Sequence, residues 1–318
     1  MLKLFKIEEG FIRKIPLKDD KFNKKLLAQA HWIDMCDPDE DERDLLESIL
    51  HTDLPEYDDV EEIEHSARCF VDQTGMHIHS LFIYQEEGRH STVSVAFILQ
   101  GERLITIREE RLADFRLFRL RARRGQITCH DAAELLVTML EHKVENHADY
   151  LEDIHRELEE ISHTVLEDED ADLEDAISEL ARLEDSNGKI RLCLMDTQRD
   201  ISFLLRHLRH HPDLMETLRE TMHDIEGLMS HTTFLFDKIN FLMGSTQGFI
   251  NIQQNQIIKI FSIASVVFLP PTLIASIYGM NFKNMPELDW LLGYPFAIGL
   301  MILAALAPYL FFKHKGWL

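Results

Sequence analysis

Regularly spaced cysteine pairs are absent from this chain. Its four cysteines, Cys36, Cys69, Cys129 and Cys193, stand far apart, and the sequence contains no CxxC. This spacing does not suggest a disulfide framework and is typical of reduced thiols in a cytoplasmic region. The N-terminal segment MLKLFKIEEGFIRKI has no long apolar run, so we expect no cleaved signal peptide.

Common catalytic patterns and an excess of positive charge are also missing. The sequence contains no GxSxG, P-loop or HExxH pattern, which argues against an enzyme. Its 56 acidic residues against 33 lysines and arginines give a formal net charge of −23. Such a charge repels phosphates and argues against nucleic acid as a partner. It suits either a solvated acidic surface or the attraction of cations.

Two long apolar runs stand near the C terminus, at residues 260–280 and 291–312. Each has about 20 residues without an acidic or strongly basic side chain, which is the length that a helix needs to cross a lipid bilayer. A buried core helix is the alternative, but two such runs joined by a short loop favour membrane spans. We expect a first span at about 257–280, an external loop at 281–290, a second span at about 291–312 and a tail at 313–318.

Charged residues around these runs predict the orientation of the chain. Lys259 precedes the first run, and Lys313 and Lys315 follow the second. Because positive residues favour the cytoplasmic side, we expect both termini in the cytoplasm and the loop outside. Glu287 and Asp289 would then attract cations to the external loop.

The remaining sequence mixes strand and helix patterns. Residues 75–85 are rich in strand-forming side chains, and residues 91–109 predict two strands with a turn at Gly101. Residues 37–50 and 131–161 predict helices. The chain therefore divides into an α/β cytoplasmic domain, a helical region and a membrane domain, which we place at residues 1–145, 146–256 and 257–318.

A long helix is predicted after Pro212, which is well placed in a first helical turn. Apolar residues and two threonines follow in alternating steps of four and three, a heptad pattern that predicts a long stalk helix. The predicted seam consists of Leu218, Met222, Ile225, Met229, Thr232, Phe236, Ile239, Met243, Thr246 and Ile250. The stalk would pack either against the chain's own helices or against copies of itself.

The same alternation, offset by one position, gives the first span a face that is mostly small or polar. This face consists of Asn255, Ile258, Ser262, Ser265, Leu269, Thr272 and Ser276. Small residues can mean tight helix packing without a pore. Alternatively, the face lines a pore in a ring of several chains, where Ile258 and Leu269 would form apolar constrictions.

The chemistry of this face favours a hydrated hard cation. It offers hydroxyl and amide oxygens but no carboxylate, thiolate or imidazole, which suits Mg²⁺ because that ion gives up its water reluctantly. The side-chain oxygen of Asn281 would hold the hydration shell at the outer mouth. Uptake would be driven by the membrane potential, at about 2.3 kcal/mol per charge per 100 mV.

Several motifs together carry a family resemblance. Gly279, Met280 and Asn281 end the first apolar run, MPEL follows at residues 285–288, and the chain closes with FKHKGWL. With the preceding long helix and two-span ending, the whole chain resembles the CorA magnesium transporter family, in its proteobacterial form.

The resemblance implies a homopentamer of the bacterial inner membrane, with a cytoplasmic α/β funnel, a stalk helix continuous with the pore helix and an outer ring of second spans. It implies transport of Mg²⁺, with Co²⁺ and Ni²⁺ as lesser substrates, and no organic cofactor. Gly279, Met280 and Asn281 match the family's selectivity motif. Where the family often has an acidic residue after the motif, this chain has Lys283, which reduces the negative charge expected at the mouth.

Closure by internal Mg²⁺ is a further expectation. Carboxylates brought together between subunits would repel one another unless a cation lies between them, so bound Mg²⁺ would favour a closed arrangement. The candidates are Glu61 and Glu62 of one subunit facing Glu220 or Asp224 of the next, in regions that the resemblance also joins. A solvated acidic face remains the alternative.

Three other interpretations stay open at this point. His77 and His79 lie two residues apart on a predicted strand, as a metal-binding pair would, but no third ligand stands nearby. A related family with the same GMN motif exports zinc. A membrane-anchored coiled-coil scaffold without a pore would show the same helix pattern.

Overall fold

The computed structural model describes residues 1–16, 24–50, 54, 68–86, 88–168, 171–281, 285–286 and 290–317. The chain forms two compact units, Met1–Met243 and Gly244–Leu318. Four candidate site residues, Glu61, Glu62, Glu287 and Asp289, lie outside the described residues. The same is true of Lys283.

The N-terminal unit contains a seven-stranded sheet with the order β2-β1-β3-β7-β6-β5-β4. The β3–β7 pair is parallel, and the other pairs are antiparallel. The strands are β1 Leu2–Glu8, β2 Phe11–Lys14, β3 Trp32–Cys36, β4 Cys69–Val71, β5 Met76–Glu86, β6 Arg89–Gln100 and β7 Arg103–Arg108.

The strands predicted from the sequence are confirmed. The first corresponds to β5, and the two strands on either side of Gly101 correspond to β6 and β7. Gly101 has a φ of 57°, a left-handed conformation that glycine adopts without the steric penalty of a Cβ atom. It therefore permits the tight connection that brings β7 back along β6.

Seven helices lie among the described residues. Both helices predicted in the first 161 residues are confirmed, and the second continues to Glu167. The longest helix begins at Pro212 as predicted. The helices are α1 Lys24–Gln29, α2 Glu40–Leu50, α3 Ala113–Arg123, α4 Ala132–Glu167, α5 Leu173–His207, α6 Pro212–Tyr278 and α7 Gly293–His314.

Asp131 and Asp172 fix the starts of α4 and α5. The Asp131 carboxylate accepts a hydrogen bond from the Glu134 amide, and Asp172 accepts from the amides of Glu174 and Asp175. These side chains satisfy amides that lack a partner inside the helix. Asp172, which stands in the acidic part of the sequence after α4, therefore has a structural role as a helix cap.

Apolar side chains cover both faces of the sheet. On one face, Leu27 of α1 and Leu46 of α2 pack in a cluster with strand residues such as Ile98 and Ile105. On the other face, a larger cluster joins strand residues such as Phe97 to α3, α4 and α5. All four cysteines are buried and free.

In the N-terminal unit, alternate positions of the predicted α6 seam are buried as predicted, and the positions between them differ. Leu218, Ile225, Thr232 and Ile239 are buried, but Phe236 is 44% exposed. The positions between the shared residues shift by one, so that Leu235 is buried instead. Both versions have a heptad repeat, and the residue types alone did not distinguish them. The correction leaves Phe236 on the surface of the unit.

Candidate functional site

The seven residues of the predicted pore face all lie on α6 within the C-terminal unit, and all are exposed in the single chain. The two apolar members, Ile258 and Leu269, are 61% and 65% exposed. Apolar side chains on other faces of this segment are equally exposed, for example Phe261 and Phe268 at 70% each, so the whole segment calls for a cover that the single chain does not supply.

The covered side of α6 points away from this polar face. In the C-terminal unit, Ile263 is buried, and Val267, Ile274 and Tyr278 are half-buried. At 100° per residue, the mean direction of these positions lies about 160° around the helix from that of the polar face. Ala297 on α7 is as buried as Ile263. The polar face is therefore opposite to the side of the helix that the unit itself covers.

Hydrogen bonds orient two hydroxyl groups of the polar face. Ser265 donates to the Phe261 carbonyl at 2.8 Å, and Thr272 donates to the Phe268 carbonyl at 2.7 Å. Because each hydroxyl proton is used within the helix, the oxygen lone pairs remain available as acceptors. Water molecules bound to a cation point their hydrogens outward, so these oxygens present the acceptors that a hydrated cation requires.

The predicted selectivity motif begins where α6 ends. Tyr278 is the last helical residue. The Gly279 amide then donates to the Ala275 carbonyl at 2.9 Å, and the Met280 amide donates to the Ile277 carbonyl at 3.2 Å. Asn281 follows and is exposed. These two hydrogen bonds tie the position of Asn281 to the last turn of the helix.

Gly279 has little space for a side chain. A Cβ atom at this position would lie 3.1 Å from the Ala275 carbonyl oxygen, closer than an ordinary van der Waals contact. Gly279→Ala should therefore shift the segment that carries Asn281 and reduce cation flux by about tenfold, an effect of about 1.4 kcal/mol. Flux through the purified variant checks this.

Gly299→Ala on α7 is the matched control, because no atom other than those of its adjacent residues and the nearby α7 backbone lies within 4 Å of a Cβ built there. We expect the Gly299 variant to keep normal flux. Equal flux through both variants would contradict a positional role for Gly279.

Glu220 and Asp224 lie on the part of α6 that belongs to the N-terminal unit, where both are exposed. Asp224 lines a groove of about 430 Å³ between α6 and α4, together with Glu141 and Glu145. Burial raises the pKa of Glu141, and the negative charges of Glu145, Glu220 and Asp224 raise it further. The sequence did not link the α4 pair to the α6 pair, because 75 to 83 residues separate their members.

A metal pair at His77 and His79 receives no support. Both side chains are buried. The His77 ring stacks on Phe70 with 4.5 Å between centroids, and burial lowers the pKa of His77. Among the described residues, no group of three or more histidines, cysteines or carboxylates has an arrangement that could hold a metal ion.

Two helices, α6 and α7, are long and apolar enough to cross a membrane, and little of their apolar segments is buried. These are the two helices on which the sequence placed the spans. Within the described part of the chain, these two helices meet that condition by length and composition only.

Residues 28–314 match the family described as CorA-like Mg²⁺ transporter protein. Proteins called magnesium transport protein CorA from Salmonella typhimurium and Escherichia coli K12 are each 48% identical to this chain, over all of both sequences. Among solved structures, the complete CorA magnesium transporter from Methanocaldococcus jannaschii has a TM-score of 0.74 at 20% identity and covers 100% of this chain and 99% of its own. The full-length CmaX protein has a TM-score of 0.72 at 17% identity, covering 100% and 98%.

Proposed function

The chain belongs to the CorA family of Mg²⁺ transporter proteins, and from this premise we propose that it is a channel through which Mg²⁺ enters the cell. Several copies form a ring, and each α6 contributes its polar face to a central pore. The resemblance favours five copies.

Both termini lie in the cytoplasm, because Lys259, Lys313 and Lys315 flank the spans. A reporter fused to the C terminus should lie in the cytoplasm, and an external location of that reporter would contradict this orientation.

The observation that carries the proposal is the direction of the polar face on α6. It lies opposite to the half-buried positions of the same helix. In a ring with the polar face inward, those positions and α7 face outward to lipid. The exposed phenylalanines of α6 in the N-terminal unit, Phe234, Phe236 and Phe241, also support self-association, because such apolar surface is usually covered in an assembly.

The proposed pore carries Mg²⁺ with its water. The oxygens of Asn255, Ser265 and Thr272 accept hydrogen bonds from that water and do not replace it, because Mg²⁺ loses its hydration shell reluctantly. Neutral oxygens also release the ion again, which conduction requires. Carboxylates at these positions would hold it more tightly.

Ile258 and Leu269 are the proposed gate. In a ring, their exposed side chains meet copies of themselves and form two apolar constrictions separated by about three helical turns. A narrow apolar ring loses its water easily and then blocks ions without closing completely. The gate opens when the ring widens enough to admit a hydrated ion.

Flux into liposomes tests the proposal. The purified protein should admit Mg²⁺ when the interior is negative, with smaller fluxes of Co²⁺ and Ni²⁺, because the membrane potential contributes about 4.6 kcal/mol per 100 mV for a divalent ion. Protein-free liposomes provide the background. Zn²⁺ flux that exceeds Mg²⁺ flux would favour the related zinc transporters, and no flux of any ion would favour a scaffold without a pore.

We further propose that internal Mg²⁺ closes the channel by binding at Glu220 and Asp224. Glu141 and Glu145 increase the negative charge of this region. Burial, followed by repulsion from Glu145, Glu220 and Asp224, raises the pKa of Glu141. A divalent cation would reduce the repulsion among these carboxylates. It would therefore favour the arrangement of subunits in which they lie closest together. Glu61 and Glu62 of the neighbouring subunit are the proposed partners.

Glu220→Ala combined with Asp224→Ala should weaken this inhibition. We expect the internal Mg²⁺ concentration for half-inhibition to rise by about tenfold, equivalent to 1.4 kcal/mol of lost binding. Adding Glu61→Ala and Glu62→Ala should increase the effect. The measurement is current against internal Mg²⁺ in patches.

Asp175→Ala combined with Glu179→Ala is the matched control, since these exposed carboxylates have the same i, i+4 spacing on α5. It should be inhibited like the wild type. Wild-type inhibition of the Glu61, Glu62, Glu220 and Asp224 quadruple variant would remove these residues from the regulatory site.

A further inference from the structure

A strongly basic groove lies in the N-terminal unit of this acidic protein. It is bordered by β1, β2 and α3, has a volume of about 390 Å³, and is lined by the cations Lys3, Lys14, Arg116, Arg119 and Arg123. Its lining contains no described carboxylate. A chain with 56 acidic and 33 basic residues would not be expected to gather five cations at one place unless their charge has a use.

Among the described residues, few of these cations form an ion pair. Arg119 is the one groove cation that forms an ion pair with a described carboxylate, Asp34, at 2.8 Å. No ion pair with a described carboxylate forms at Lys3, Lys14, Arg116 or Arg123. Their charges are therefore free to meet an anion from outside the described part of the chain.

The described ion pairs behind Arg119 also carry excess positive charge. Asp34 is 1% exposed and is shared between two guanidinium groups, those of Arg108 and Arg119. Thr106 donates a further hydrogen bond to Asp34 at 3.1 Å. One carboxylate cannot neutralise two arginines, so these three described side chains together leave a net positive charge next to the groove.

The pKa of Lys3 is sensitive to the positive charges around it. Its pKa is lowered, first by burial and then by the positive charge of Arg119. Arg119 is itself only 14% exposed, and its guanidinium is held in place by its ion pair with Asp34. A fixed arginine next to lysines of β1 and β2 is a preorganised site, in which few side chains must be ordered when an anion binds.

We infer that this groove binds a small phosphate-bearing anion with two or more negative charges, such as the triphosphate of a nucleotide. Arginine matches phosphate oxygens with paired hydrogen bonds. The volume lies in the range of small-molecule sites. Leu117 and Leu120 are exposed on the same groove and offer apolar contact to a nucleobase or an acyl chain. The inference does not depend on the transport function.

Calorimetric titration of the purified full-length oligomer with tripolyphosphate, in buffer freed of divalent cations, tests the site. The triple variant Lys14→Gln, Arg116→Gln, Arg123→Gln should bind about a hundredfold more weakly than the wild type, because three charge-assisted contacts are lost. The control is Arg13→Gln, Arg111→Gln, Arg124→Gln, which removes the same charge from exposed positions outside the groove lining. The control should bind like the wild type.

Two results would overturn the inference. One is the absence of binding to wild type at millimolar tripolyphosphate, and the other is equal weakening in both triple variants, which would indicate attraction by net charge alone. If the triple variant does not fold, Arg123→Gln is compared with Arg124→Gln, and a tenfold difference in Kd is expected.

Three probes identify the source of the phosphate. Tighter binding of ATP than of tripolyphosphate, lost in Leu120→Ser, assigns a nucleotide. Tighter binding of short-chain phosphatidic acid, whose phosphate monoester can carry two negative charges, assigns a lipid headgroup, and equal binding of ATP and tripolyphosphate assigns free polyphosphate. Preference for a single-stranded oligonucleotide over all three would contradict a small ligand.

Discussion

Asn281→Ala is expected to reduce Mg²⁺ uptake to the background of empty liposomes while the oligomer stays assembled. Asn281 is exposed directly after the last turn of α6, where its amide oxygen can accept a hydrogen bond from the water around Mg²⁺. One such bond contributes about 1 kcal/mol. In the proposed ring of five, every subunit loses it, so the loss is about 5 kcal/mol, or more than three orders of magnitude in occupancy.

Uptake and oligomeric state of the purified variant are measured together. Asn240→Ala is the control, because Asn240 is an exposed asparagine of α6 whose side chain donates to the Phe236 carbonyl at 3.0 Å, within its own helix. We expect normal uptake by this control. An assembled Asn281→Ala protein with near-normal uptake would exclude Asn281 from ion recognition.

Local patterns predicted the elements of the fold better than their arrangement. The strands around Gly101 and the helix start at Pro212 follow from turn and helix-boundary chemistry within a few residues. The parallel pairing of β3 with β7 joins segments about 70 residues apart, and no local pattern specifies that pairing. The basic groove was missed for the same reason, because β1, β2 and α3 become neighbours only in the folded chain.

The candidate site shows the same limit. The polar face of α6 was predictable because helical periodicity alone determines which residues share a face. The direction of that face relative to the covered side depends on tertiary packing, which periodicity does not specify. Glu141 and Glu145 joined Glu220 and Asp224 only through the packing of α4 near α6. The α6 seam failed at Phe236 because Leu235 and Phe236 are both apolar, and their residue types favour neither.

Ser276→Phe should reduce Mg²⁺ flux by about tenfold or more, because a phenyl ring from every subunit would fill the proposed pore one turn before its outer mouth. Ala275→Phe adds the same bulk about 100° around the helix. It extends a face on which Phe261 and Phe268 are already exposed, so we expect little loss of flux.

Each variant is assayed in liposomes after its oligomeric state has been confirmed. A pore predicts that only the Ser276 variant loses flux. Equal flux through both assembled variants would mean that the polar face serves helix packing, and the conduction path would then have to lie elsewhere.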